Sequence, residues 1–296
     1  MKLWIVVNEF LRTAKFLELE EKFKNAAVKL NVDCSVVTNS DCLITCGSQG
    51  ILTGVIPCND DPVLFWDKDI HLAEVLELNG HNVYNNAAAI ADCDDKSLTA
   101  IRLAGLGIHI PKTIISPMTY NNIGYSNLTF VENAASVLNF PIIVKRVFGS
   151  FGAGVFMCSD INELKKVISE NSDCRLIYQE YISSSCGKDI RLQVVGDKVV
   201  AAMYRYSDDD FRANITNGGK MLPYEPDDAE IELALRAAGK LNLDFAGIDI
   251  LFGENGSVLC EVNSNAHFKN IDDCTGSDVA YDIISYIVSS EKNNIK

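Results

Sequence analysis

Apolar residues change their spacing repeatedly along the chain, and each change marks an element. Residues 3–7 are continuously apolar, as in a strand covered on both faces. From 13 to 30 the apolar positions Phe16, Leu19, Phe23, Ala26, Ala27 and Leu30 recur at helical intervals, with lysines and glutamates between them. Strands follow at 34–37 and 63–66, then a helix over 70–78 that stops at Asn79-Gly80, then a strand at 81–84. This alternation predicts a small α/β layer with a parallel sheet up to about residue 90. A helix over 95–106 ends before Gly107, and Pro111 breaks the pattern.

A second unit starts near Pro111, with strands at 113–115, 142–145, 155–157 and 176–182 and helices at 129–138 and 160–170. A polar link, 183–187, leads to a hairpin of 190–195 and 199–206 turned by Gly196-Asp197. Residues 207–226 carry no apolar period, and a polar loop of that length points to function or disorder. A helix at 229–241 precedes a second hairpin, 248–252 with 258–261, whose Asn255-Gly256 pair is a strong turn signal; a helix at 278–288 closes the chain. The expected class is a multidomain α/β and α+β protein with units at 1–110, 111–185 and 186–296.

The second hairpin carries candidate chemistry. Period-two alternation sets Asp249 opposite the Ile248, Ile250 and Phe252 face, and puts Glu261 and Asn263 on one face of the partner strand. Three oxygen-bearing side chains can converge there, a hard set suited to Mg2+ or Mn2+; the alternative is an ordinary solvated acidic face. In 148–155 (FGSFGAGV) Gly149, Ser150, Gly152 and Gly154 lie between two strands, so the loop reads as a flap able to line phosphates, or as a plain tight turn. It is no P-loop, because no Gly-Lys-Ser/Thr ends it. Lys145, just before it, faces away from Val144, where it could reach a phosphate; the alternative is a solvated edge lysine. Lys188, Arg191, Arg205 and Arg212 form a basic set suited to a carboxylate or phosphate, unless Arg205 and Arg212 pair with 208–210 at the surface.

Composition narrows the classes further. Forty acidic against 26 basic residues give a formal charge of −14, which argues against a broad nucleic-acid or anionic-membrane surface. Ten cysteines, mostly within apolar segments, read as free thiols of a reducing cytoplasm, and Cys42 with Cys46 lacks a second pair for zinc. The first ten residues are too short an apolar run for a signal peptide, and no run is long enough to span a membrane. The serines lack a nucleophile setting; His71, His81 and His109 read as structural, whereas His267 lies just past the hairpin.

Taken in order, Asp95-Lys96-Ser97-Leu98-Thr99, Val144-Lys145 with the 149–154 loop, Gln179-Glu180-Tyr181-Ile182, Asp189-Ile190-Arg191, Val195-Gly196-Asp197 with 199–202, Phe211-Arg212-Ala213-Asn214 with Gly218-Gly219, Ala246-Gly247-Ile248-Asp249 and Glu261-Val262-Asn263 form a set whose spacing is the specific signal. Over about 85–290 the chain resembles the ATP-grasp superfamily, and within it the RimK-like carboxylate-amine ligases. The resemblance implies an ATP-grasp fold behind an N-terminal α/β pre-grasp domain. It implies that Lys96 and Lys145 contact ATP phosphates under the 149–154 flap, that Gln179, Glu180, Tyr181 and Ile182 hold adenine, and that Lys188 or Asp189 meets the ribose. Asp249, Glu261 and Asn263 would hold Mg2+ (or Mn2+); Arg191, Arg205 and Asn214 would serve the γ-phosphate and acyl phosphate, and Arg212 the acceptor or the carboxylate substrate. The implied reaction makes an amide through an acyl phosphate and releases ADP and phosphate. Its substrate would be an amino acid, a peptide or a protein C-terminus, without nucleic acid or membrane, in a monomer or a homo-oligomer. A ligase maturing a precursor peptide and a catalytically silent nucleotide-binding regulator share the fold. The run Ser264-Asn265-Ala266-His267-Phe268 departs from the small residue, proline and glycine usual in members that modify a ribosomal protein, and the acidic 208–210 replaces a basic or mixed segment. Residues 1–85 match only in layout.

Overall fold

A computed structural model describes residues 2–48, 50–52, 54–57, 59–120, 122–149 and 152–294. The N-terminal layer contains β1 (Lys2–Val7), α1 (Ala14–Lys29), β2 (Asp33–Thr38), a small hairpin of β3 (Thr45–Gly47) and β4 (Gly50–Leu52), then β5 (Val63–Trp66), α2 (Ile70–Leu78) and β6 (Val83–Tyr84). Its main sheet is parallel, ordered β2-β1-β5-β6, as the alternation predicts. Two helices follow, α3 (Ala87–Asp94) and α4 (Lys96–Leu103), where the pattern predicts one. The break falls at Asp95, whose carboxylate caps α4 by accepting from the Ser97 and Leu98 N–H groups; α3 is alanine-rich and shows no wide apolar stripe.

The middle unit runs β7 (Thr113–Ile115), α5 (Thr129–Leu138), β8 (Ile142–Arg146), β9 (Val155–Cys158), α6 (Ile161–Glu170) and β10 (Leu176–Glu180), with an antiparallel sheet ordered β7-β10-β8-β9. The last sheet is antiparallel and ordered β13-β12-β11-β14-β15, from β11 (Lys188–Val195), β12 (Lys198–Tyr206), β13 (Lys220–Pro223), β14 (Phe245–Gly253) and β15 (Gly256–Asn263). Helices α7 (Asp228–Lys240), α8 (Lys269–Thr275) and α9 (Val279–Asn294) complete it. The unpatterned stretch 207–226 thus contains an edge strand, β13, whose exposed residues and terminal Pro223 leave no alternation to read. The short α8, Lys269–Thr275, escaped the pattern because seven residues with few apolar positions show no period.

One apolar core joins the first layer to the last sheet. Trp66 packs against Phe23, Phe245 and Phe268 with ring centroids 4.9–5.6 Å apart, and α9 adds Ile283, Ile284 and Ile287. The fully buried Asn85 side chain staples the same junction. Its Nδ2 donates to the carbonyls of Phe245 and Ser264, and its Oδ1 accepts from the N–H groups of Asp244 and Phe245. The N-terminal layer is therefore fixed against the sheet that carries the candidate hairpin. Among the described residues no helix is long and apolar enough to cross a membrane.

Candidate active site

The register of the last sheet brings charged residues together on one face. Asp249 of β14 lies opposite both Arg191 of β11 and Glu261 of β15, Asn263 lies opposite Gly247, and Asp189 lies opposite Arg205 of β12. A register shift after Asp249, which leaves Cys260 as the extra residue, keeps Glu261 on the Asp249 face. Arg191 grips both Asp249 oxygens at 2.6 Å, and Arg205 reaches Asp189 at 2.6 and 2.8 Å and Asp249 at 3.1 Å. Both Asp249 and Arg205 are under 5 % exposed. Burial alone would push the Asp249 carboxyl up, but Arg191 and Arg205 outweigh it and hold it below the usual carboxylate range. Arg205 thus takes partners within the sheet rather than the surface acids 208–210, whereas Arg212 does bind Asp210, at 2.7 Å.

This face floors a cleft of about 900 Å³ between the middle and last sheets. Lys96, Lys145, Gly149, Gly152, Gln179, Glu180, Tyr181, Ile182, Lys188, Asp189, Arg205, Arg212, Asn214, Asp249 and Glu261 all line it. So do Val155 and Phe211, from the glycine-rich run and the 211–214 motif, and Ile143 and Leu251, apolar walls that belonged to no motif. Lys96, at the start of α4, bonds the Gly149 carbonyl at 2.8 Å and Glu261 at 3.1 Å, tying the flap to the hairpin. Arg212 holds the flap from the other side through the Gly152 carbonyl at 2.9 Å. Gly152 has φ +75°, and a Cβ there would sit 2.9 Å from Asn214 Oδ1, so both backbone and neighbour require glycine. Gly154 instead packs over the Arg146 side chain and does not line the cleft. Ser150 lies outside the described residues.

At the back of the cleft, Lys145 Nζ is 3.9 Å from Cys260 Sγ, whose thiol burial pushes up to about 11 and so keeps protonated. Gln179 Nε2 donates to Thr113 Oγ1, and the Glu180 carboxylate accepts from the Lys112 N–H, tying the end of β10 to the start of β7.

A second cavity, of about 1120 Å³, opens on the other side of the same face and shares Arg205, Asn214 and Glu261 with the first. It takes Arg191, Asn263 and His267 from the predicted set and adds Lys15, Phe16, Trp66, Asp67 and Asn265. Lys15 and Asp67 had no sequence signal, because one reads as the polar face of a helix and the other as a strand end. His71, His81 and His109 line neither cavity, and His81 is buried with Nδ1 2.7 Å from the Asp61 carbonyl.

Among the described residues no three His, Cys, Asp or Glu side chains cluster as a complete cation site. The oxygen set Asp249, Glu261 and Asn263 is nonetheless of the kind a hard divalent ion takes when other oxygens complete its shell. Three cations, Arg191, Arg205 and Lys96, crowd onto its two carboxylates, which shows how much positive charge this face accepts.

Comparison with known proteins agrees with this architecture. The chain is 34% identical over 261 residues to an uncharacterized Mycoplasma pneumoniae protein, covering 86% of this chain and 88% of that one. It is 35% identical over 214 residues to a probable alpha-L-glutamate ligase of Enterobacter sp., covering 71% and 69%. It shares its fold with the ATP-grasp ligase PsnB, solved with a minimal precursor, Mg and ADP, at a TM-score of 0.70, 16% identity and 98% coverage of both chains. The RimK-like ATP-grasp domain matches residues 93–287, and the chain belongs to the RimK-like ATP-grasp family of carboxylate-amine ligases.

Proposed function

We propose that the first cleft takes ATP with Mg2+, that the second takes an acid, and that the chain joins the acid to an amine through an acyl phosphate. The observation that carries this reading is that two separate cavities meet at one set of residues, Arg205, Asn214 and Glu261. A triphosphate entering from one side and a carboxylate from the other would meet there. The relatives' names fit a ligase of small acids or peptide ends, such as the alpha-L-glutamate ligase of Enterobacter sp..

The adenine edge would face the backbone of 180–182, with the ribose near Lys188 and Asp189. Lys96 and Lys145 would neutralise phosphate oxygens while the flap, held at Gly149 and Gly152, keeps water out. Asp249, Glu261 and Asn263 would hold Mg2+, whose chemistry is to polarise the γ-phosphoryl group and offset its charge. A carboxylate oxygen of the acid attacks the γ-phosphorus, the bond to the β-phosphate oxygen breaks, and ADP leaves. The amine nitrogen then attacks the acyl carbon, phosphate departs, and the amine proton is released. Arg205, whose charge Asp189 and Asp249 stabilise inside the protein, faces the developing phosphoryl charge with Arg191 and Asn214 beside it. No protein nucleophile is needed, because alignment and charge supply the rate.

Screening acids and amines in pairs with MgATP tests this. ADP and phosphate released only when both partners are present is the expected result. AMP and pyrophosphate, or ADP release indifferent to the acid, would contradict it.

A further inference from the structure

The long loop after β12 begins with three acids, 208–210, that are not used alike. Asp208 pairs with Lys220 on the edge strand at 2.8 Å, both side chains being largely exposed. Asp210 is half-buried and is fixed by its surroundings. Ser207 Oγ accepts from the Asp210 N–H at 3.1 Å. The base of the loop is bonded to Gly187, whose N–H donates to the Phe211 carbonyl at 2.9 Å and whose carbonyl accepts from the Ser207 N–H at 2.8 Å. Gly187 has φ +65°, and a Cβ there would lie 2.7 Å from the Ser207 carbonyl oxygen, so this seam admits only glycine.

From that seat the Asp210 carboxylate takes one edge of the Arg212 guanidinium, accepting from Nε at 3.0 Å and from Nη2 at 2.7 Å, and it accepts from the Arg212 N–H at 2.8 Å. A two-point grip on a planar guanidinium fixes its direction as well as its charge. The remaining nitrogen, Nη1, meets the Gly152 carbonyl at 2.9 Å. Gly152 meets the same loop a second time, where an added Cβ would lie 2.9 Å from Asn214 Oδ1 and 3.1 Å from Asn217 Nδ2. Both asparagines belong to one tight turn, in which the Asn214 carbonyl accepts from the N–H groups of Asn217 and Gly219 and the Ile215 carbonyl from that of Gly218, at 3.0–3.2 Å. Phe211, Arg212 and Asn214 line the first cleft, whereas Asn214, Ile215 and Thr216 line the second cavity. One continuous stretch therefore holds Gly152 at one end and walls the second cavity at the other.

We propose that Asp210 is a positioning residue: it aims Arg212 at Gly152, and the loop held there couples the two cavities, so that a nucleotide in the first orders the wall of the second at Asn214, Ile215 and Thr216. Two sites are coupled when both favour one arrangement of a shared element, and ordering that element once lowers the cost of the second binding event. The acid then meets a wall already in place. The coupling rests on the first cleft being the nucleotide site of the proposed ligase.

Hydrogen exchange on the full chain, with and without Mg2+ and a non-hydrolysable ATP analogue, tests this, because the N–H groups of Asn217, Gly218 and Gly219 close the turn. In the wild type the analogue should slow exchange at 217–219 about tenfold or more. Asp210→Ala should lose most of that slowing, and so should Arg212→Lys, which keeps the charge but not the two-point grip. In both variants the analogue should still slow exchange at 176–182, and the Gly187 N–H should show that the base of the loop is intact. Wild-type exchange at 217–219 indifferent to the bound analogue, or a full response in Asp210→Ala, would overturn the proposal. So would faster exchange at 217–219 and Gly187 alike, equal with and without the analogue, which would make Asp210 a brace of its own loop and nothing more. Calorimetry with the same analogue separates the two readings: no uptake refutes the nucleotide site and the coupling with it, and uptake with no change at 217–219 refutes the coupling alone.

Discussion

The two cavities share three residues and little else. The first is assembled from four short stretches, 143–155, 179–189, 205–214 and 249–261, with Lys96 and Pro111 added. Each stretch is a strand end, a turn or a hairpin whose geometry is set locally. The second draws on 11–16, 66–68 and 263–270 as well, brought together only because the aromatic core and Asn85 clamp the N-terminal layer onto the last sheet. The first cavity is thus set largely by local geometry, and the second by how distant segments pack.

Variants that strike one cavity and spare the other sharpen this contrast. The largest effect is expected at the shared floor. Asp249→Asn removes the negative charge that Arg191 and Arg205 face and that a divalent ion would need, so turnover should fall about 100-fold or more. ADP release against MgATP concentration checks it, with circular dichroism to confirm the fold, and an unchanged rate at saturating Mg2+ would contradict the role. Lys145→Met touches the first cavity alone: nucleotide affinity should fall about 10- to 100-fold, the loss of one charge-assisted contact. Acid binding without nucleotide should be unaltered, and calorimetry on both ligands reads the split.

Gly152→Ala strains a φ of +75° and crowds Asn214, which should weaken nucleotide binding about tenfold. Equal affinity for variant and wild type would show that the flap need not approach that closely. The smallest effect on either cavity belongs to Asp244, beneath the sheet, which accepts from Tyr286 Oη at 2.9 Å. Burial raises its pKa from 3.8 to about 6. The folded state therefore holds this proton more tightly than the unfolded chain, and stability from this group is present below about pH 4 and lost as pH rises through about 6. Asp244→Asn should remove that part of the pH dependence, visible as melting temperatures that converge with wild type at low pH and exceed it above pH 6, with both ligand affinities unmoved.

Much of the fold was legible because the apolar spacing was. The strand Val63–Trp66 and the helices Ile70–Leu78 and Thr129–Leu138 fall where the periodicity puts them. The edge strand Lys220–Pro223, the helix Ala87–Asp94 and the hairpin near residue 50 did not, since edge position, alanine content and exposure each erase the pattern. Within the site, the hairpin and its acidic residues were readable, but Glu261 comes opposite Asp249 only through the register shift at Cys260, which alternation does not foresee. It could not choose partners: Arg205 pairs with Asp189 because the β11–β12 register sets them opposite, a fact of pairing that no local window contains. Lys15 and Asp67 were invisible for a stronger reason: the residues they face across the cavity, among them Arg191 and Asn263, lie more than a hundred positions away in sequence.

An acyl phosphate formed where the two cavities meet is the species on which the proposed reaction turns. Incubating the protein with MgATP, the acid panel and hydroxylamine in place of the amine captures that species as a hydroxamate. Hydroxamate and ADP in equal amounts, both requiring Mg2+ and an acid, is the predicted result. AMP and pyrophosphate, or ADP formed with no hydroxamate from any acid, would contradict it.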